Sequence, residues 1–198
     1  MANTLPETEL QSQQAKKTHL LIASQNLKYY DMNFPEGTIF RVNLAWLNSL
    51  QDLENIIKDV PNDIYLDMPI GRTKPPSNSY TLDELIPFIE NHQTIKYLAI
   101  SNIESKAHIA PFLHLTDSVI IVPKIETKKG IENIDEIVKA LDDNSLKIIM
   151  LDHDDLFSDL IKHGIHANEF PKYITSLVEY CDRNDVNLLR TRGVIFSS

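Results

Sequence analysis

Seven short runs of Ile, Leu and Val recur along this chain, each followed by a stretch with helical spacing, and that alternation limits the fold more than any other feature. The runs are HLLIA (19–23), TIFRVNL (38–44), DIYLDM (63–68), KYLAIS (96–101), SVIIVPKI (118–125), KIIMLD (147–152) and VNLL (186–189). Nearly continuous in apolar character, they read as strands buried on both faces. The spacing between them predicts helices near 47–60, 81–92, 104–115, 131–141 and 167–183. The clearest is IENIDEIVKAL, where Ile131, Ile134, Ile137, Val138 and Leu141 share one face and Glu132, Asp135, Glu136 and Lys139 the other.

Parallel strands with covering helices mean an α/β barrel or a doubly wound sheet. Only 5 glycines occur, and none forms the G-x-G-x-x-G or G-x-x-x-x-G-K turns that cradle phosphates in dinucleotide and P-loop folds. The barrel is therefore favoured. At 198 residues with 42% hydrophobic content, the chain is sized for one core. We expect a tail over 1–16 and one barrel domain over 17–198, with GRTKPPSNSY (71–80) as the one linker-like loop. A typical barrel takes about 250 residues and eight strands. Seven strands therefore predict an incomplete barrel, whose open edge invites pairing with a second copy of the chain.

Charge and cysteine content exclude several classes of function. With 19 basic against 28 acidic residues the net charge is -9, which repels nucleic acid. Cys181, the single cysteine, rules out an intramolecular disulfide and a cysteine-based zinc site and fits a reducing, cytoplasmic setting. No apolar run approaches the roughly 20 residues needed to span a bilayer, so no membrane role is expected.

Barrel enzymes carry their chemistry where strand C-termini converge, and here those ends are polar. Strand two ends with Arg41 and Asn43, strand three with Asp67 followed by Arg72, and strand five with Lys124 and Glu126. Strand six ends with Asp152, His153, Asp154 and Asp155, and strand seven leads into Arg190, Thr191 and Arg192. Two positions apart on an extended strand, Lys124 and Glu126 point to the same side. Glu126 with a second carboxylate such as Asp155 suits a divalent cation, while the Lys124 ammonium suits a developing oxyanion.

The run SVIIVPKIETKKGIENIDEI resembles the active-site signature of pyruvate kinases, an apolar strand leading through Lys-Ile-Glu into a helix. FRVNLAW, YLDMPIGRTKPP, KIIMLDHDDL and VNLLRTRGVI are similar to further strand segments of that family in the same order. The resemblance implies a TIM-type barrel binding phosphoenolpyruvate, pyruvate or a related keto acid. It implies Lys124, Arg41 and Thr191 as catalytic groups, and Arg41, Arg72 and Asp154 as the substrate-facing set. Glu126 and Asp155 would hold Mg²⁺ or Mn²⁺, with Asn43 and Asp67 as ligands of a monovalent ion such as K⁺.

Departures from the family point to other classes. Ala45 stands where the family has a serine ligand, and His153 and Asp154 replace an Arg-Gly pair. The loop after strand three is too short for the family's lid domain, which weakens the case for a phosphoryl transferase using ADP. One alternative is a non-catalytic relative that senses a ligand or binds a partner. Another is a metal-dependent carbon–carbon lyase, because pyruvate aldolases and citrate lyase β chains share a similar Ile-Glu-Thr strand end without a lid.

Ordinary structural roles compete at each position. Lys124 and Glu126 can form a plain ion pair. Asp154 and Asp155 can cap a helix over 156–163. His163 and His166 read as a surface turn beyond the helix, and Trp46 as packing.

Overall fold

The computed structural model describes residues 20, 22–24, 34–70 and 80–190. Seven strands form one parallel sheet: β1 (Ile22–Ser24), β2 (Ile39–Asn43), β3 (Ile64–Met68), β4 (Ile95–Ile100), β5 (Ile120–Ile125), β6 (Ile148–Leu151) and β7 (Asn187–Arg190). They lie side by side in sequence order. Every crossover therefore advances one strand in the same direction, and right-handed crossovers then place all the helices on one face. A doubly wound sheet would reverse its order at a switch point. None occurs among the described strands.

A contact across the concave face shows the curl. The Tyr65 hydroxyl of β3 lies 3.3 Å from Met150 Sδ of β6, although three strand spacings in a flat sheet would separate them by about 14 Å. The strand order and this curvature make the described residues a half-barrel, consistent with an incomplete β/α barrel. Among the described residues, β1 and β7 each pair on one side only.

Strand alternation sorts the apolar side chains onto two faces. Outward, Phe40, Val42, Ile64, Leu66, Leu98, Ile100, Ile121 and Ile149 pack under the helices in the main core. Inward, Ile39, Tyr65, Ala99, Val122 and Ile148 form a smaller cluster that fills the concave side. Pro123 sits inside β5 at a changeover of partners. Residues 120–123 pair with β4, and Lys124 and Ile125 pair with β6. A missing N–H costs least where the ladder already switches.

The helices begin where side chains replace absent backbone partners. At α1 (Leu50–Asp59), Ser49 Oγ accepts from the Asp52 amide and the Asp52 carboxylate accepts from the Ser49 amide. Thr81 and Glu84 repeat this capping box at α2 (Leu82–Glu90).

The helix expected over 104–115 is instead a short α3 (Lys106–Ile109) followed by a 3-10 helix (Ala110–Leu115). Pro111 has no N–H for the α-helical bond and forces the change. The expected 131–141 helix begins earlier and divides at Asn133 into α4 (Lys128–Glu132) and α5 (Ile134–Lys139). Asn133 leaves helical geometry there, and its side chain donates to Glu104 O at 2.7 Å. The last helices are α6 (His153–Lys162) and α7 (Phe170–Arg183). No described helix is long and apolar enough to cross a membrane.

Candidate metal and anion site

Four charged side chains meet inside the curled sheet at the C-terminal strand ends. Alternation turns Arg41 of β2, Asp67 of β3 and Lys124 of β5 inward, with Glu126 one residue past β5 on the same side. Arg41 donates to Asp67 Oδ2 through Nε at 2.8 Å and through Nη2. Lys124 Nζ lies 2.7 Å from Glu126 Oε1, 3.4 Å from Asp67 Oδ1 and 3.2 Å from Ser101 Oγ. The three ammonium hydrogens therefore have three oxygens to meet. Asp67, Lys124 and Glu126 are buried, and Arg41 reaches partly into solvent.

Two cations and two carboxylates make this quartet neutral, which is how buried charge is tolerated. Burial opposes the charge on Lys124, yet Asp67 and Glu126 together hold its ammonium above the usual lysine range. Burial also pushes the Glu126 carboxyl up, and Asp155 adds to that push against Lys124 and the Asn102 amide. Beneath the quartet, burial raises the Tyr65 phenol, with Asp67 acting in the same sense.

Register brings the acidic end of β6 to the same place. Ile125 pairs with Leu151, so the next residues along, Glu126 and Asp152, are neighbours. Glu126, Asp152 and Asp155 each offer an oxygen within 4.8 Å of the other two. Asp152 caps α6, its Oδ1 accepting from the Asp154 and Asp155 amides at 3.2 and 3.4 Å. This corrects the cap expected from Asp154 and Asp155. The helix starts at His153, and those two residues lie in its first turn.

The donor set fits a hard divalent cation, being three carboxylates on two strand ends and a helix start. Oxygens sharing one Mg²⁺ are at most about 4.2 Å apart, and those sharing Ca²⁺ at most about 5.2 Å. Three oxygens on one Mg²⁺ include at least two adjacent pairs about 3 Å apart, so the side chains would have to close inward around it. Lys124 already balances Glu126, leaving the charges of Asp152 and Asp155 against the α6 N-terminus, whose macrodipole amounts to roughly half a positive charge. Arg190 is a further cation near this rim, donating through Nη2 to His153 Nε2 at 3.2 Å. Burial and Arg190 together lower the pKa of that imidazole.

The expected site residues divide into three groups. Arg41, Asp67, Lys124, Glu126 and Asp155 are brought together. Asn43 and Asp154 stand at the same end with other partners. Asn43 Oδ1 accepts from the Ala45 amide at 2.9 Å and caps a 3-10 turn, while exposed Asp154 receives Ser158 Oγ on its carbonyl. Arg72 and Thr191 lie outside the described residues, as do Arg192, the 71–79 loop and the 1–16 tail. Trp46, expected to pack, is 70% exposed in the turn after β2.

Three residues of this site carry no role in the sequence reading. Asp152 counts there only as a polar strand end, with Asp155 as the second carboxylate beside Glu126. Ser101 and Asn102 follow β4 and serve both members of the Lys124–Glu126 pair. Ser101 Oγ accepts from Lys124, and the Asn102 amide donates to Glu126 Oε2 at 2.7 Å. Asn102 has φ of 55°, a left-handed conformation, and its side chain donates to Ile70 O at 2.6 Å. A polar Ser-Asn dipeptide closing an apolar run was the available signal.

Gly130 also shapes this end. A β-carbon there would fall 2.7 Å from Ile103 O, so only glycine lets α4 approach the segment after Asn102 so closely.

Comparison with known proteins adds a likeness of architecture. No family model matches the chain, and no curated protein is similar to it. Among solved structures, RipC from Yersinia pestis superposes with a TM-score of 0.57 at 16% identity, covering 89% of this chain and 76% of that one. The likeness is one of fold.

Proposed function

We propose that the concave mouth of the sheet binds a divalent cation, Mg²⁺ or Mn²⁺, together with a small keto acid or an enolate-bearing acid of the phosphoenolpyruvate and pyruvate class. The supporting observation is the convergence of Glu126, Asp152 and Asp155 beside the buried Lys124. Glu126, Asp152 and Asp155 would hold the cation, which when bound supplies Lewis acidity toward an oxygen of the acid. Lys124 holds a fixed positive charge at the cavity wall, suited to an oxygen that gains negative charge. Arg41, partly exposed and anchored by Asp67, keeps one guanidinium edge for a carboxylate or phosphate. Glu126 is confined by pairing and Asp152 by capping, so these two have little side-chain entropy to lose on binding. Enolate stabilisation of this kind serves a pyruvate kinase-like transferase or a carbon–carbon lyase equally, and the short 71–80 segment favours the lid-free lyase.

A second reading rests on the self-neutralised quartet. Lys124 and Arg41 already have carboxylate partners, which suits a non-catalytic relative that retains the barrel as a ligand-sensing or partner-binding module. Calorimetry with Mn²⁺, with and without oxalate as a planar enolate mimic, separates the two. Under the first reading the wild type binds Mn²⁺ in the micromolar to millimolar range and more tightly with oxalate. Glu126→Gln then weakens binding by at least the roughly 10–100-fold typical of losing a supporting residue. A folded wild type that gives no heat with either ligand removes the metal reading.

A further inference from the structure

The Lys124–Glu126 pair is held from β4 by two consecutive residues, and one of them adopts a backbone conformation that side chains disfavour. Asn102 sits at φ 55°, a region that glycine enters freely and other residues only at a cost. Such outliers persist where the surroundings over-determine them. Here two bonds do so. The Asn102 amide donates to Glu126 Oε2 at 2.7 Å, and its side-chain amide donates to Ile70 O at 2.6 Å.

The bend makes a chemical difference at Glu126. A residue continuing β4 in extended geometry would send its N–H into the sheet ladder, as Ser101 does toward Met68 O at 3.0 Å. Past the left-handed turn at Asn102 it is the Ile103 N–H that takes Lys124 O, at 3.2 Å, which leaves the Asn102 N–H to the carboxylate. Lys124 takes Oε1 and Asn102 takes Oε2, so both ends of the carboxylate are fixed. Each oxygen keeps a second lone pair, and one of the two oxygens lies within 4.8 Å of an oxygen of Asp152 and of Asp155.

We propose that Asn102 is a positioning residue for Glu126, its left-handed turn keeping one N–H out of the strand ladder to fix the carboxylate in the orientation that meets Asp152 and Asp155. This rests on the metal reading for its consequence, while the contact itself is testable without metal. Glycine retains both the N–H and the left-handed geometry. Alanine retains the N–H and strains the geometry. Both lose the bond to Ile70, so the pair separates aim from anchoring.

The test uses the full chain. In metal-free protein, the backbone amide resonance of Asn102 should lie downfield and exchange slowly, and should move upfield in Glu126→Gln. In calorimetry with Mn²⁺ and oxalate, Asn102→Gly should stay within about threefold of wild type, whereas Asn102→Ala should bind about tenfold more weakly. An amide indifferent to Glu126→Gln overturns the proposal. So does Asn102→Ala with lowered thermal stability and unchanged Mn²⁺ affinity, which marks a structural role only. If the wild type binds no Mn²⁺, the metal reading falls, and the amide experiment alone decides whether Asn102 positions Glu126.

Discussion

The two faces of the sheet solve burial differently. Outward, β2, β3 and β6 present apolar side chains to the helices, from Phe40 and Val42 on β2 through Leu66 on β3 to Ile149 on β6. Inward, the strands are apolar for part of their length, at Ile39, Tyr65, Val122 and Ile148. They then turn ionic at Arg41, Asp67, Lys124 and Glu126. Dispersion and hydrophobic burial hold the first face with no directional demands. The second depends on every charge finding its partner, because an unpaired charge in that setting costs at least as much as a sizeable void. Charge confined to one end of one face is what an evolved site requires and what a purely structural core avoids.

Breaking that contrast at its most expensive point means removing Lys124. Lys124→Met strands Glu126, leaves Asp67 to Arg41 alone, and should cost about 3–5 kcal/mol in urea denaturation at neutral pH. The deficit should shrink as pH falls. Glu126 already sits above its ordinary range, so its folded form favours the proton and its contribution to stability is lost as pH rises through the folded value. Losing the cation strengthens that bias. A deficit constant between pH 5 and 8 would show that packing, not stranded charge, is responsible.

On the outer face, Leu66→Ala leaves a cavity in the main core and should cost about 2–5 kcal/mol, with no such pH dependence and unchanged Mn²⁺ affinity. The smallest effect belongs to charge pairs in solvent. Lys139 and Asp135 meet at 2.7 Å on the exposed side of α5, and Lys139→Ala should leave the denaturation midpoint where it is. If it shifts as far as Leu66→Ala, surface pairing matters more in this chain than the contrast allows.

Part of the site was legible because strand period is a local property. Two-residue spacing put Lys124 and Glu126 on one side, and polar residues closing apolar runs marked Arg41, Asp67 and Asp155 before any fold was known. What was not legible depends on which strands adjoin and on how backbone geometry redirects a group. Asp152 became a candidate ligand through the pairing of Ile125 with Leu151. Asn102 entered through one left-handed turn, which no periodicity encodes. Trp46 was misread for a related reason, since an aromatic beside a strand end packs only if a neighbouring element reaches it.

The amino-acid order by itself determined the seven strands, most of the helices between them, and the alternation that puts apolar and ionic residues on opposite sides of β2, β3 and β5. These features follow from backbone stereochemistry and from the separation of oil and water along a few residues. Only the tertiary structure decided the sequential parallel order, the curl that carries Tyr65 to Met150, and the meeting of Lys124 with Asp67 from two strands away. The physical reason is range. Propensity and periodicity act over a turn or a strand, whereas burying a charge beside its partner is settled by contacts between residues dozens of positions apart.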